Sequence, residues 1–193
     1  MGDKFSKPGL IGFAYKEKND TNDWPSGDFH YRYVGRVGDR DIIFAAYWTG
    51  GSGQFSSLVS LRRKTANTFE FSDMAAGDRC SGYISSAKIV DGHVDYDQSQ
   101  TPSDMMQLGL TPRDEAYDGL DYSAVSCVAD AHMRDEKLVS LSLHQGDSPI
   151  NPYKPQACFD KVYRNFVERR ETELDAAKLD AFRSEFKSCI ARG

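Results

Sequence analysis

Residues 156–192 contain neither glycine nor proline, and no other feature of the chain limits its fold as tightly. A stretch of that length without either breaker reads as helix. Phe159, Val162, Tyr163, Phe166 and Val167 repeat at i, i+3, i+4, i+7, i+8, while Leu179, Phe182, Phe186 and Ile190 form a second stripe. At about 100° per residue the two stripes point about 160° apart, too far for one straight helix lying on one surface. A break removes the conflict. Thr172, with Asp175 three residues on, can cap a second helix, so the spacing predicts an antiparallel hairpin turning near residues 170–173. At about 1.5 Å per residue, Cys158 lies roughly 18 Å before that turn and Cys189 roughly 22 Å after it, opposite each other at the open end. A disulfide there would staple the hairpin, whereas one straight helix would hold the two sulfurs about 40 Å apart.

The remaining cysteines, Cys80 and Cys127, then pair by elimination. No two of the four are close enough for a CxxC metal or redox motif. Two disulfides imply an oxidising compartment, the periplasm or the exterior, with Met1 and Gly2 standing where a signal peptide was removed. Met1 to Ser6 also fits the loose myristoylation pattern, although one acyl chain without a polybasic patch binds membranes only marginally. No apolar run is long enough to span a bilayer.

Upstream of the helices the pattern is that of strands. Residues 1–28 read as a leading segment with a turn at Trp24, Pro25, Ser26 and Gly27. From Phe29 the period becomes two: Phe29, Tyr31 and Tyr33 alternate with His30 and Arg32. Residues 42–48 are unbroken apolar, short enough for a strand covered on both sides. Phe55, Ser57, Val59 and Leu61 alternate again, and residues 68–71 make a short strand candidate. Asp91-Gly92 between alternating apolar residues predicts a tight type I′ hairpin. A last pair is expected over residues 122–131 and 138–143, with Val139, Leu141 and Leu143 on one face. Connections this short make the sheet antiparallel. The chain has 193 residues, 39% of them hydrophobic and 12% aromatic, which suits one domain. The expectation is therefore a single α+β domain over residues 1–193: an antiparallel β-sheet of about seven to nine strands across residues 29–145, and a C-terminal helical hairpin across residues 156–192, pinned by a disulfide and covering one face.

Chemistry leaves little trace. A net charge of −5 argues against nucleic acid as a partner. His30, His93, His132 and His144 show no metal-ligand spacing, and no phosphate-binding loop is present. Ser126, Asp130 and His132 can be drawn as a hydrolytic triad, but a polar strand face is much the better account of them, because a triad needs a geometry that spacing does not supply. Residues 50–54 fail the nucleophile-elbow pattern.

Gly50-Gly51-Ser52-Gly53 with Phe55 and Leu58, Gly77-Asp78-Arg79, then residues 89–94, Pro102 and Asp104 together resemble a β-rich domain of uncharacterised bacterial secreted proteins and lipoproteins. That resemblance covers about a third of the chain and rests mostly on turn residues. It implies an extracytoplasmic location and no known catalytic residues.

Residues 91–121 stand out by charge. Asp91, Asp95, Asp97, Asp104, Asp114, Glu115, Asp118 and Asp121 face only Arg113, so this stretch carries −7 where the whole chain carries −5. Its middle, residues 98–118, lacks periodicity and reads as a long functional loop. Calcium could use Asp91, Asp95 and Asp97, but they match no EF-hand spacing, and no metal or cofactor is assigned. The expected function is a non-enzymatic periplasmic or secreted protein-binding domain, such as an immunity protein or an inhibitor of an envelope-degrading enzyme. It would contact a basic partner protein through Asp95, Asp97, Asp104, Asp114, Glu115 and Asp118. The alternative is a small-ligand carrier whose cavity is lined by Tyr31, Tyr33, Tyr47 and Trp48.

Overall fold

A computed structural model of the chain describes residues 3–7, 9–16, 26–145 and 153–192. Met1 and Gly2 of the acylation pattern and Trp24-Pro25 of the expected turn lie outside these residues. The fold is α+β, with antiparallel strands in two sheets, C-terminal helices and a Cys158–Cys189 disulfide. The described residues hold eleven strands, eight of them in the region of residues 29–145 and three outside it, and they form two sheets where one was expected. The residues gather into two compact units, the first holding residues 1–79 and 83–96, the second residues 80–82 and 97–193.

The first unit is built on a six-stranded antiparallel meander: β1 (Asp3–Lys7), β2 (Leu10–Tyr15), β3 (Gly27–Val37), β4 (Arg40–Trp48), β5 (Gln54–Arg63) and β6 (Phe69–Asp78). The leading segment is thus two strands. Ile11 and Phe13 are one more alternating pair, set against Tyr31 and Phe29 of β3. Even-numbered side chains point inward: Ile42, Phe44, Ala46 and Leu58 are buried. β7 (Ile84–Val90) lies over them, with Ile84 N–H donating to Ser56 Oγ at 2.7 Å and Arg32 donating to Ala87 O at 3.0 Å. A bulge between Tyr33 and Gly35 brings the two layers close. A Cβ on Gly35, whose φ is 152°, would stand 2.6 Å from Ile89 Cγ1. Only one face of β4 is covered, contrary to the reading of residues 42–48, because Tyr47 on the other face stays exposed.

β7 turns into β8 (His93–Gln100) through Asp91 and Gly92, both at positive φ, as the type I′ signal predicts. β8 belongs to the second sheet, of order β11-β10-β9-β8-β7. In the second unit follow α1 (Pro102–Gln107), a 3₁₀ turn (Glu115–Tyr117), β9 (Ala129–Arg134), β10 (Lys137–Leu143), α2 (Gln156–Glu168), β11 (Glu173–Leu174) and α3 (Ala176–Ala191). The expected irregular loop over residues 98–118 is therefore largely ordered structure. Its overlooked signal is Thr101-Pro102-Ser103-Asp104: Thr101 Oγ1 accepts from Asp104 N–H at 3.1 Å and donates to Asp104 Oδ2 at 2.7 Å, a reciprocal cap. Met105, Met106, Tyr117 and Leu120 sink into the core.

Both helical stripes bury as their phases require. Phe159 and Phe166 of α2 meet Phe182 of α3 at ring distances of 5.5 and 5.0 Å. The cap of α3 is Asp175, not Thr172, because Glu173 and Leu174 first pair with β10 and bury Leu174 completely. Val139 also departs from expectation. A bulge between Leu138 and Ser140 turns it outward, while Leu141 and Leu143 stay buried. Both disulfides form as expected, with Cα separations of 4.6 Å for Cys80–Cys127 and 5.7 Å for Cys158–Cys189. Among the described residues no helix is long and apolar enough to cross a membrane.

Candidate functional site

The six acidic candidates have different surroundings. Asp95 is buried. Asp97 accepts from His132 Nδ1 at 2.9 Å. Asp104 is consumed by the cap of α1. Asp114 caps the 3₁₀ turn through Ala116 N–H at 3.0 Å and pairs with Lys187 Nζ of α3 at 2.6 Å. The hydrogen bond from Lys187 holds the Asp114 carboxyl below its ordinary range, and the same bond raises the Lys187 ammonium. Only Glu115 and Asp118 of the six are exposed, and Asp118 has Arg113 4.0 Å away. Charge density along the chain was the signal. The structure spends much of it on caps and pairs inside the second unit.

The hydrolytic set is not assembled. Ser126 Oγ donates to Asp121 Oδ2 at 2.6 Å, and Asp130 accepts from Ser99 Oγ at 3.0 Å and contacts His144 Nε2 at 2.9 Å. His132 is engaged with Asp97 instead. β8 and β9 place these groups at alternate positions of a polar sheet face, where neighbouring strands pair them laterally. Among the described residues no three His, Cys, Asp or Glu side chains are grouped to hold a metal ion.

The outer face of the first sheet is different in kind. Register places Ile11, Tyr31, Ala45 and Ser57 in one cross-strand row and Phe13, Phe29, Tyr47 and Phe55 in the next. Tyr33 and Ile43 continue the face on one side, and Leu61 and Phe71 extend it to β6, where Phe69 follows. Tyr33, Phe69 and Phe71 are each 60% exposed, and Ile11, Phe13, Tyr31 and Tyr47 are exposed as well. The rings already lean on one another: Tyr47 stacks on Phe55 at 4.9 Å, and Phe13 lies 5.8 Å from Phe29. Alternation alone generates this face, since period two sends every second residue of five adjacent strands the same way. Both faces are apolar, and only the even one is covered.

Of the four residues of the carrier reading, Tyr31, Tyr33 and Tyr47 are exposed on this face, and Trp48 at the end of β4 is half-buried. Two concavities of the second unit lie along its helices. One, of about 540 Å³, runs along α2 and α3 over the Cys158–Cys189 bridge, with Lys154, Lys161 and Arg192 at its walls. The other, of about 560 Å³, is bounded by Tyr117, Arg183 and Lys187. Compared with known proteins, the chain matches no family model, no curated protein and no solved structure.

Proposed function

We propose that this chain is a non-enzymatic, extracytoplasmic protein-binding domain whose contact surface is the odd-numbered face of the first sheet. The observation that carries the reading is the continuity of that face: seven large apolar side chains from β2 to β6 stand exposed on one side of one sheet. Monomeric soluble proteins rarely leave so broad an apolar surface to water, and such surfaces mark partners. Two disulfides support an oxidising compartment.

The chemistry of the face favours a protein over a sugar or a small molecule. Sugars need several polar side chains to read their hydroxyls, but the middle of the face offers few, Ser57 and the hydroxyls of Tyr31 and Tyr47 among large apolar rings, and Tyr33 Oη already donates to Asp41 at 3.1 Å. Small ligands need concavity. An inhibitor or immunity protein working through this face would bind by apolar burial, and salt would change its affinity little.

A photo-reactive amino acid placed at position 33 or 71, with position 139 as control, tests this in an envelope extract. The expected result is one discrete protein adduct from positions 33 and 71 that persists at high salt and maps to an apolar surface of the captured protein. No adduct, or equal capture from position 139, would overturn the reading. A salt-labile adduct lost on neutralising Glu115 and Asp118 would return recognition to the acidic segment.

A further inference from the structure

We infer, on the footing that the outer face of the first sheet is a protein contact, that its occupant is a second copy of this chain, docked sheet face to sheet face about a two-fold axis. An interface of that symmetry needs each patch to carry both a ridge and the hollow that receives it. This face does. Ile11, Phe13, Tyr31 and Tyr33 rise from β2 and β3, and Phe69 and Phe71 rise from β6. In the row of Ile11 and Tyr31, β4 and β5 present only Ala45 and Ser57, directly opposite each other in the register and both half-buried, with Tyr47 and Phe55 standing in the next row. Turned by half a revolution, the tyrosine ridge of one copy falls over the Ala45–Ser57 hollow of the other.

Size and charge agree with that occupant. Five strands at about 4.8 Å spacing, with five rows of side chains about 6.7 Å apart, give a footprint on the order of 600 Å². Stable interfaces bury about 800 Å² of accessible surface per partner, and the uneven surface of side chains exceeds its footprint. The first unit contains twelve basic and twelve acidic residues, so the unit that bears the face is itself neutral. The whole net charge of −5 resides in the second unit. Rings held by neighbours, such as Tyr47 on Phe55, lose little freedom on docking, which lowers the entropic cost of association. Face-to-face stacking at about 10 Å would turn two open sheets into one sandwich core.

Sedimentation equilibrium on the wild type, Tyr33→Glu, Ser57→Trp and the control Val139→Glu decides it. Wild type and control should give twice the chain mass at micromolar concentration. Tyr33→Glu removes a ridge and Ser57→Trp fills the hollow, so each should raise the dimer dissociation constant tenfold or more. Far-ultraviolet circular dichroism should be unchanged, since both sites lie on the outer face. A single-chain mass at every concentration, or a dimer that survives both changes, overturns the inference. If the wild type is monomeric while position 33 still captures another protein, only the second copy is excluded. If it is monomeric and captures nothing, the binding reading falls too.

Discussion

Tyr163 shows how much one side chain can hold in this fold. It is 3% exposed, and its one hydroxyl proton is shared between the carbonyl oxygens of Val128 at 2.7 Å and His144 at 2.6 Å, tying α2 to the segments beside β9 and β10. Burial pushes its phenol up to about 12. A pKa raised in the folded state stabilises the protein below the unfolded value near 10, and that contribution is lost as pH rises through about 12. Tyr163→Phe should therefore cost about 1 kcal/mol near neutrality, where only the hydrogen bonds are missing. Between about pH 9.5 and about pH 11 the wild type should lose about 1 kcal/mol more than the variant, as seen in denaturant melts at each pH. Parallel alkaline limbs for the two proteins would show that the hydroxyl is not held in its protonated form. Arg183 plays a comparable part. Its nearly buried guanidinium donates to Met106 O at 3.1 Å and Leu108 O at 2.6 Å, giving partners to carbonyls at the end of α1.

At the scale of elements, what could be read from the sequence depended on whether a local rule acted alone. The helical hairpin was legible because two stripes out of phase leave one solution, and Phe159, Phe166 and Phe182 meet as that solution requires. The Asp91-Gly92 turn was legible because only such residues adopt its positive φ angles cheaply. α3 begins later than Thr172 suggested because burial of Leu174 against Leu141 outweighs an early cap. Val139 misled because alternation cannot reveal a bulge, which shifts every residue beyond it by one. Helix α1 inside the acidic segment was not legible because its only local sign is a cap of four residues, Thr101 to Asp104. The aromatic face was readable strand by strand, but whether a layer covers it is a tertiary fact that period two leaves open. Phe182→Ala should cost about 3 to 5 kcal/mol, since its ring is fully buried between Phe159 and Phe166. Val139→Ala should cost within about 0.5 kcal/mol. Chemical denaturation of the two variants separates the stripe from the bulge, and equal losses would mean that Val139 is packed after all.

For the whole molecule, the two disulfides are unevenly placed. Cys80–Cys127 and Cys158–Cys189 both lie inside the second unit, and the first has none. They close loops of 47 and 31 residues, worth roughly 4 kcal/mol each on the chain-entropy estimate, which is an upper guide. The first unit relies instead on its six-stranded meander and on the Ile42, Phe44 and Leu58 layer beneath β7. Reduction should then loosen the second unit selectively. Under reductant and mild denaturant, amides of α2, α3, β9 and β10 should exchange hydrogen orders of magnitude faster, while those of β3, β4 and β5 stay protected. Hydrogen exchange followed by mass spectrometry of peptides from each unit reads this directly. Simultaneous loss of protection in both would mean that they unfold as one cooperative body. Protection that persists in both would mean that the aromatic core of Phe159, Phe166, Phe182 and Phe186 holds the second unit without its bridges.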